Sequence, residues 1–421
     1  MSLPNLWQLY NLRASPFFQS TLGANSEQYP LSLFVARAME TRQLLSTIGG
    51  SRSSRQAVAG AAGVGKTTFV QAVKGEALTA GYWTTDDVVA LYPGDTLESV
   101  IGRLLAAVYD AVVTSRPQAS APALDAASQM VRAIRIHGGG GNLSVLGVGA
   151  GLSRSESAVT PPGALLLDGP RVLRDLLAFA RDAGAPGVIV HVNNLENLGE
   201  RDAQAAAELL RGIRDTILLL DGLHLILVGT TDAIITVVNR YAQVRSVFSS
   251  PLVLEWLTVP EVEELLALRY RHLSMDADRR GAAPIDADTV RALYPLFRGD
   301  LRALLKSLED GVTALLGVAR TTPPSPIMFD ELRPVLQRRG ELQLRAVVGD
   351  TRFQNLVAWA QVNPAGQQTQ ASLGELWGLT QGTVSAALKA MVEAGCAEAL
   401  PRRAGEPVAY VMGGVSRLVF G

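Results

Sequence analysis

A glycine-rich loop at residues 60–67 is the pattern in this chain that is best suited to chemistry. Gly60, Gly65, Lys66 and Thr67 fill the fixed positions of the sequence GxxxxGK[ST]. In such a loop the backbone N–H groups curl around a phosphate, the lysine reaches the β- and γ-phosphates of a nucleotide, and the threonine hydroxyl ligates Mg²⁺. We therefore expect ATP and Mg²⁺ as cofactors, with Thr67 on the metal and the nucleotide held by Gly60, Gly63, Val64, Gly65, Lys66, Thr67 and Thr68.

This chemistry requires a strand before the loop and a helix after it. A short apolar strand at residues 56–59 precedes the loop, and a helix is predicted from about residue 66. Further apolar strands alternate with helices along the chain, with strands at 187–192 and 223–228 and helices near 171–182 and 203–219. This alternation predicts an α/β fold, in which a parallel sheet carries helices on both faces.

The second half of the site departs from the usual composition. Phosphoryl-transfer sites of this kind need an acidic residue at the end of a neighbouring strand to hold Mg²⁺, and usually a second carboxylate to activate water. Here the strand at 188–192 ends in Asn193 and Asn194, which have no charge and accept no proton, and Glu196 follows two residues later. Glu196 either points back to the site or caps the next helix. The sequence thus predicts nucleotide binding with Asn193 in the site, and hydrolysis that is slow or dependent on a partner.

Several later motifs, taken with the loop, make the chain resemble the AAA+ ATPases, and in particular the branch of origin-recognition initiators and bacterial transposition ATPases. The stretches that carry this resemblance are SPFF at 15–18, LFVARAME at 33–40, LILVGTTD at 225–232, YAQVRSVF at 241–248 and RGDLR at 298–302. Ala36 stands where that branch usually has glycine.

The resemblance implies roles for three further positions. Thr231, or its neighbour Thr230, corresponds to the polar sensor residue that positions the attacking water. Arg302 contacts the γ-phosphate from a helical lid, or is a solvated helix residue. Arg245 completes the site of a neighbouring subunit, or is a surface arginine. An arginine that completes the site of a neighbouring subunit, called an arginine finger, acts only in an assembly. The resemblance therefore implies a homo-oligomer that forms with ATP.

The domain organisation follows from changes in composition. Residues 1–255 hold the predicted sheet, interrupted at 116–163 by a segment that we expect to be an inserted loop or hairpin, with a glycine-rich part at 138–160. From residue 260 the strands stop, and leucines at helical spacing predict a helical lid domain at 256–340.

The last segment, residues 345–421, resembles a winged helix-turn-helix domain. A short helix with a capping box of Ser372 and Glu375 is followed by a helix that starts at Thr380 and by two strands within 397–412. In such a domain the second helix enters the major groove of DNA and the wing touches the backbone. The resemblance implies that DNA is contacted by Gln381, Thr383, Lys389, Arg402 and Arg403.

The charge of this domain is compatible with two kinds of partner, DNA and another protein. It holds six basic and five acidic residues, and a nearly neutral domain binds DNA weakly by itself because phosphate neutralisation dominates affinity. Two functions follow: a nucleotide-controlled switch that associates with DNA, or a signalling or defence scaffold whose winged helix and insertion recruit a protein partner.

Overall composition excludes other classes. A hydrophobic content of 48% argues against disorder, and a net charge of −1 argues against a polycation that coats nucleic acid. A single cysteine, Cys396, excludes an intrachain disulfide and a cysteine-based zinc site. The longest apolar run is interrupted by Asp221, and the first residues lack the pattern of a signal peptide. We expect a cytoplasmic protein with no membrane partner.

Overall fold

The computed structural model describes residues 5–23, 26–137, 162–193, 195, 200–276, 283–317, 326–400 and 406–421. The chain divides into two compact units. We call Thr21–Glu255 the sheet unit, and Met1–Ser20 together with Trp256–Gly421 the helical unit.

A parallel sheet forms the centre of the sheet unit. Within the described residues its strands are β1 (Ser54–Gly60), β2 (Val89–Ala90), β3 (Val188–Asn193), β4 (Leu223–Gly229) and β5 (Leu252–Leu254), in the order β2-β3-β4-β1-β5. Every pair of neighbouring strands is parallel. All residues of β1, β3 and β4 are buried, as expected for strands covered on both faces. The predicted α/β fold with a parallel sheet is confirmed.

Helices cover this sheet. They are α1 (Ala38–Gly49), α2 (Lys66–Thr79), α3 (Leu97–Ser115), α4 (Pro122–His137), α5 (Pro162–Asp182), α6 (Glu200–Gly212), α7 (Thr231–Asn239) and α8 (Ala242–Arg245). A short 3-10 turn at Leu31–Leu33 precedes α1, and a π-helical turn at Arg214–Leu218 follows α6. The main apolar core combines side chains of β1, β3 and β4 with those of α3, α5, α6 and α7.

Part of the predicted insertion is helical, which corrects the expectation of a loop or hairpin across 116–163. Helix α4 occupies residues 122–137, and α5 already begins at Pro162. Leu124, Ala127 and Val131 are buried in the main core at helical spacing. The serine- and proline-rich composition around residue 120 concealed this stripe. The glycine-rich part at 138–160 lies outside the described residues.

Helices dominate the helical unit. They are α9 (Val259–Leu273), α10 (Ala287–Leu293), α11 (Leu301–Leu316), α12 (Phe329–Val348), α13 (Asp350–Val362), α14 (Gln370–Trp377), α15 (Gln381–Glu393) and α16 (Gly414–Phe420). Helix α12 runs continuously through the proposed boundary between lid and C-terminal domain at 340–345.

The N-terminal segment packs in the helical unit. The buried Arg269 of α9 donates hydrogen bonds from Nη1 to the carbonyl oxygens of Pro16, at 3.1 Å, and Phe18, at 2.8 Å. Its guanidinium carbon lies 3.8 Å from the centre of the Phe18 ring. These contacts tie residues 16–18 to α9.

A three-stranded antiparallel sheet follows α13 in the described part of the chain. Its strands are β6 (Gln368–Thr369), β7 (Ala397–Ala399) and β8 (Ala409–Met412), in the order β6-β8-β7. This sheet and helices α13 to α15 share one apolar core. The predicted capping box of Ser372 and Glu375 is wrong, because Thr369 is the N-cap and pairs reciprocally with Ser372.

Candidate functional site

The connection between β1 and α2 has the backbone that the glycine pattern predicts. Gly63 and Gly65 have positive φ angles of 81° and 92°, which favour glycine. A Cβ atom at Gly60 would lie 2.9 Å from the carbonyl oxygen of Leu254 and 3.0 Å from a methyl carbon of Val64. The loop therefore keeps a backbone shape that larger residues would strain.

Lys66 holds this loop from inside. The side chain is buried, and Nζ donates hydrogen bonds to the carbonyl oxygens of Gly60, at 3.2 Å, and Ala61, at 2.9 Å. The ammonium group thus lies within the curve of the loop and at the N-terminal end of α2. Its position fits the binding of a phosphate there.

Thr67 and Asn193 meet although they are far apart in sequence. Asn193 Nδ2 donates a hydrogen bond to Thr67 Oγ1 at 3.1 Å, and Asn193 is only 8% exposed. Its Oδ1 atom has no hydrogen-bond partner within the described residues. A buried acceptor without a partner, beside a hydroxyl at a phosphate loop, suits a hydrated Mg²⁺, which prefers oxygen ligands and retains water. The residues present therefore fit the implied nucleotide and metal.

No compact set of His, Cys, Asp and Glu side chains in the described part of the chain could hold a metal. A metal at this loop would accordingly depend on Thr67, on Asn193 and on the phosphates of the nucleotide.

Further polar residues, which the sequence does not predict as part of the site, line the contact between α2 and β3. Gln71 and Lys74 follow Thr67 by four and seven residues, so all three share one face of α2. His191 lies two residues before Asn193 on β3 and therefore on the same face of the sheet. Gln71, Lys74 and His191 are all buried.

The ammonium group of Lys74 lies in this buried contact between α2 and β3. Lys74 Nζ donates to the carbonyl oxygen of Asp87 at 3.2 Å, and Gln71 Nε2 donates to that of Asp86 at 2.6 Å. Burial lowers the pKa of Lys74 to about 8, although the charges of Asp86 and Asp87 oppose this shift. Burial, aided by the charge of Lys74, also holds the pKa of His191 well below its usual value. In the sequence, the feature that indicates this buried polar group is Lys74 itself, a lysine on the face of α2 that otherwise packs against the sheet.

The predicted sensor threonines follow β4. Thr230 is the N-cap of α7 and its Oγ1 accepts a hydrogen bond from the backbone N–H of Ala233 at 3.4 Å, while Thr231 is the first residue of the helix. Because β3, β4 and β1 are adjacent and parallel, Asn193, Thr230 and Gly60 lie at the same edge of the sheet. Asn194 and Glu196 lie outside the described residues.

The two predicted arginines are exposed. Arg245 ends α8, and no polar partner contacts its side chain within the described residues. Arg302 lies in the first turn of α11, in the helical unit. Their roles towards a nucleotide stay predictions.

The predicted DNA-contacting residues of α15 lie on its exposed side. Gln381, Thr383 and Lys389 are exposed, whereas Val384 and Leu388 are buried. Lys389 Nζ lies 3.9 Å from Glu393 Oε1, and Thr383 Oγ1 lies 3.0 Å from Thr380 Oγ1. Arg402 and Arg403 lie outside the described residues.

Comparisons with known proteins give several similar solved structures and one matching family model. No curated protein matches the chain. Among solved structures, the chain is similar to the ORC1 protein of Aeropyrum pernix in complex with DNA, with 14% identity, a TM-score of 0.44 and coverage of 99% of this chain and 96% of that one. It is also similar to the ORC2 protein of Aeropyrum pernix in ADPNP and ADP complexes, with 13% identity, a TM-score of 0.49 and coverage of 96% and 95%. A third is CDC6P from Pyrobaculum aerophilum, with 13% identity, a TM-score of 0.43 and coverage of 96% and 97%.

None of the helices in the described ranges is long and apolar enough to cross a membrane. Residues 33–228 match the family model for an AAA ATPase domain, and this range includes the glycine loop, β3 and most of β4. Over residues 33–228 the chain is therefore similar to AAA ATPase domains, and this similarity implies nucleotide binding.

Proposed function

We propose that the protein is a nucleotide-controlled switch, which binds ATP with Mg²⁺ in the sheet unit, assembles into homo-oligomers and associates with DNA through a C-terminal winged helix. The observation that carries this proposal is the glycine loop with Lys66 inside it and the Thr67–Asn193 contact beside it. The family match of residues 33–228 supports the nucleotide as ligand. The division of the rest into a lid at 256–340 and a winged helix at 345–421 belongs to the same proposal.

In this site the loop and two side chains would hold the nucleotide and its metal. Backbone N–H groups at the start of α2 and the Lys66 ammonium would bind the phosphates. Thr67 Oγ1 and Asn193 Oδ1 would orient the metal and its water. A bound Mg²⁺ supplies positive charge that neutralises the phosphates.

Slow hydrolysis follows from the chemistry of Asn193. An amide at this position has no negative charge to offset that of a metal and cannot accept a proton from water. Thr230, at the same edge of the sheet, is neutral as well, so any proton acceptor has to come from elsewhere, with Glu196 as the proposed residue. ATP occupancy rather than turnover would then set the state of the protein.

Association with DNA is supported by the two sides of α15. Val384 and Leu388 anchor the helix in an apolar core, and Gln381, Thr383 and Lys389 face outwards. Arg402 and Arg403 would add contacts from the wing to the DNA backbone. Because each domain is nearly neutral, affinity would arise from several copies held together, which raises the effective concentration of each.

The test compares the parent protein with the variant Lys66→Ala. We expect nucleotide binding to fall by at least about a hundredfold, because a buried cation at the phosphates is lost. Particle size and affinity for duplex DNA should change between ATP and ADP in the parent and not in the variant. Size and DNA affinity that are independent of nucleotide in the parent would overturn the switch.

A second function, a scaffold that recruits a protein, is favoured by the near-neutral charge of residues 345–421. Affinity purification from native cells with ATP distinguishes the two. Recovery of DNA without a stable protein partner contradicts the scaffold, and recovery of a partner with no DNA contradicts the DNA-associated switch.

A further inference from the structure

A polar cavity lies at the other end of β1, away from the phosphate loop. It has a volume of about 580 Å³ and is bordered by the last turn of α1, the first residues of β1, the π-helical turn and the residues after α8. Arg55 lies five residues before Gly60, which corresponds to about 17 Å along a strand. The cavity is thus separate from the nucleotide site, and its size is that of a site for a small molecule, about 300–1,000 Å³.

The side chains around this cavity are hydrogen-bonding and cationic. Arg55 and Arg214 supply guanidinium groups, Gln56 supplies an amide, and most other lining residues are serine or threonine. The described residues that line it include no carboxylate. Such a lining favours an anion over a cation.

Arg55 is the more deeply buried of the two arginines that border this cavity. It is only 5% exposed, and among the described residues its guanidinium donates one hydrogen bond, from Nη2 to the carbonyl oxygen of Leu220 at 3.2 Å. Its Nε atom is buried without an acceptor. A guanidinium has five N–H donors, and buried donors without partners cost free energy.

Within the described residues, no carboxylate contacts this buried guanidinium directly. Asp221 is exposed and acts on Arg55 through space, but no ion pair joins the two. Burial outweighs the effect of Asp221 and lowers the pKa of Arg55 to about 10, so the group remains charged at neutral pH. The cavity therefore borders a positive charge that no described carboxylate contacts directly.

Other side chains that border the cavity have hydrogen-bond donors available for a ligand. Gln56 Nε2 donates to Ser249 Oγ at 3.2 Å, which leaves the Ser249 hydroxyl proton for another acceptor. The half-buried Ser53 makes no side-chain hydrogen bond within the described residues. Arg214 donates from Nε to the carbonyl oxygen of Gln243 at 3.0 Å, and its ion pair is with Asp215, whose side chain is 75% exposed. An exposed ion pair of this kind is weak.

We propose that this cavity is a binding site for a phosphate-class oxyanion, held by the guanidinium groups of Arg55 and Arg214 and by the hydroxyl groups of Ser53 and Ser249. Planar guanidinium groups match the oxygens of a phosphate in pairs. The anion has two possible sources, free phosphate or a phosphoryl group on a larger ligand such as a nucleotide.

The experiment is carried out on the full chain with Lys66→Ala, which removes phosphate binding at the glycine loop. Inorganic phosphate is titrated calorimetrically, at an ionic strength held constant with chloride, in this background and in the same background with Ser53→Asp, Arg55→Met or Arg171→Gln. Ser53→Asp places a negative charge in the cavity, and Arg171→Gln removes an exposed arginine elsewhere in the sheet unit.

We expect saturable binding of phosphate in the Lys66→Ala background, unchanged by Arg171→Gln and weakened at least about tenfold by Ser53→Asp and by Arg55→Met. If Arg55→Met does not fold, Ser53→Asp alone carries the test. Phosphate binding that is absent, or equal with and without Ser53→Asp, overturns the site. A parallel titration with ADP identifies the source of the anion. ADP binding that is weakened by Ser53→Asp assigns the phosphoryl group of a nucleotide. Binding of inorganic phosphate without such ADP binding assigns the free ion. Failure here leaves the proposed function intact, since that function depends on Lys66 and not on Ser53.

Discussion

Asn193 gives the phosphate loop a neutral partner where phosphoryl-transfer sites normally have a carboxylate. Its amide is oriented by Thr67 Oγ1, and the remaining oxygen is buried without a partner. A neutral oxygen at this point suits a protein that retains its nucleotide, because it adds no charge to a metal and takes no proton from water.

The variant Asn193→Asp tests this interpretation. A carboxylate in this buried position should lower the stability of the metal-free protein by several kcal/mol. With Mg²⁺ and ATP the loss should be reversed, and ATP turnover should rise above that of the parent. Thermal melting with Mg²⁺ or EDTA, and phosphate release, measure the two effects.

Asn239→Asp is the matched control, since Asn239 is exposed at the end of α7. Equal responses to Mg²⁺ in Asn193→Asp and in the parent would show that this side chain does not face the metal.

Lys74 makes the stability of the protein depend on pH. Its pKa is lowered to about 8 in the folded chain, and Asp86, Asp87 and His191 are the titratable groups that face it. Between about 8 and the ordinary value of about 10.4, the unfolded chain binds more protons than the folded one, so the contribution of Lys74 to stability rises with pH.

Replacing Lys74 by Met removes this contribution. The free energy of unfolding of the parent, relative to Lys74→Met, should be lowest at pH 8 or below and should rise towards about pH 10. Urea unfolding at several pH values measures this difference. Lys306→Met, which removes an exposed lysine of α11, should give a difference independent of pH. Parallel profiles for the parent and Lys74→Met contradict the prediction.

At the level of individual residues, the sequence predicts only part of the candidate site. The glycine loop is predictable because its backbone angles and its lysine act within eight consecutive residues. Lys74, His191 and Arg55 are not, because ordinary solvated positions carry the same residue types and their importance arises from burial against distant strands. The direct contact of Thr67 with Asn193 depends on the order of the sheet, in which β4 lies between β1 and β3.

Among the elements, the central strands were predictable and several helix starts were not. β3 and β4 are continuous apolar runs, which have few alternative conformations in a sheet covered on both faces. Helix starts depend on which of several neighbouring polar residues caps the first turn, as with Thr369 in place of Ser372. Helix α4 was missed because its apolar stripe consists partly of alanine.

Helix α15 offers a test of DNA binding within one element. Its Lys389 lies 3.9 Å from Glu393, so the acidic residue offsets the charge that would face a phosphate. Glu393→Gln should strengthen binding to a short duplex by about two- to tenfold at low salt and increase the salt dependence by about one released ion. Fluorescence anisotropy over a series of salt concentrations measures both quantities.

Glu341→Gln provides the control for this experiment, because Glu341 forms a comparable ion pair with Arg345 on α12, outside α14 and α15. An unchanged affinity for Glu393→Gln would argue that α15 does not face DNA and would favour a protein partner.

For the whole molecule, the net charge of −1 limits how DNA can be held. A chain whose basic and acidic residues nearly cancel gains little net charge neutralisation from a single copy, so we expect assembly to supply the affinity. Arg245 is exposed and its side chain has no polar partner in the described structure, which suits the proposed contact with another copy.

The variant Arg245→Ala separates assembly from nucleotide binding. Nucleotide affinity should stay within about twofold, because the residue does not contact its own loop, whereas the particle formed with ATP should become smaller. Sedimentation velocity with ATP and with ADP measures the size. Arg171→Ala is the exposed control, and an unchanged assembly in Arg245→Ala would contradict the role of this arginine.

The attachment of Pro16 and Phe18 to Arg269 has a consequence for biosynthesis. The hydrogen-bonded residues Pro16 and Arg269 are separated by 253 positions in the chain. At about 5–20 residues per second, a ribosome needs roughly 10–50 seconds to make the later partner after the earlier one has emerged. During that time Phe17 and Phe18, which are buried in the finished protein, have no place to pack. The nascent chain thus presents an apolar segment that a chaperone can recognise, until the synthesis of α9 allows that segment to be buried.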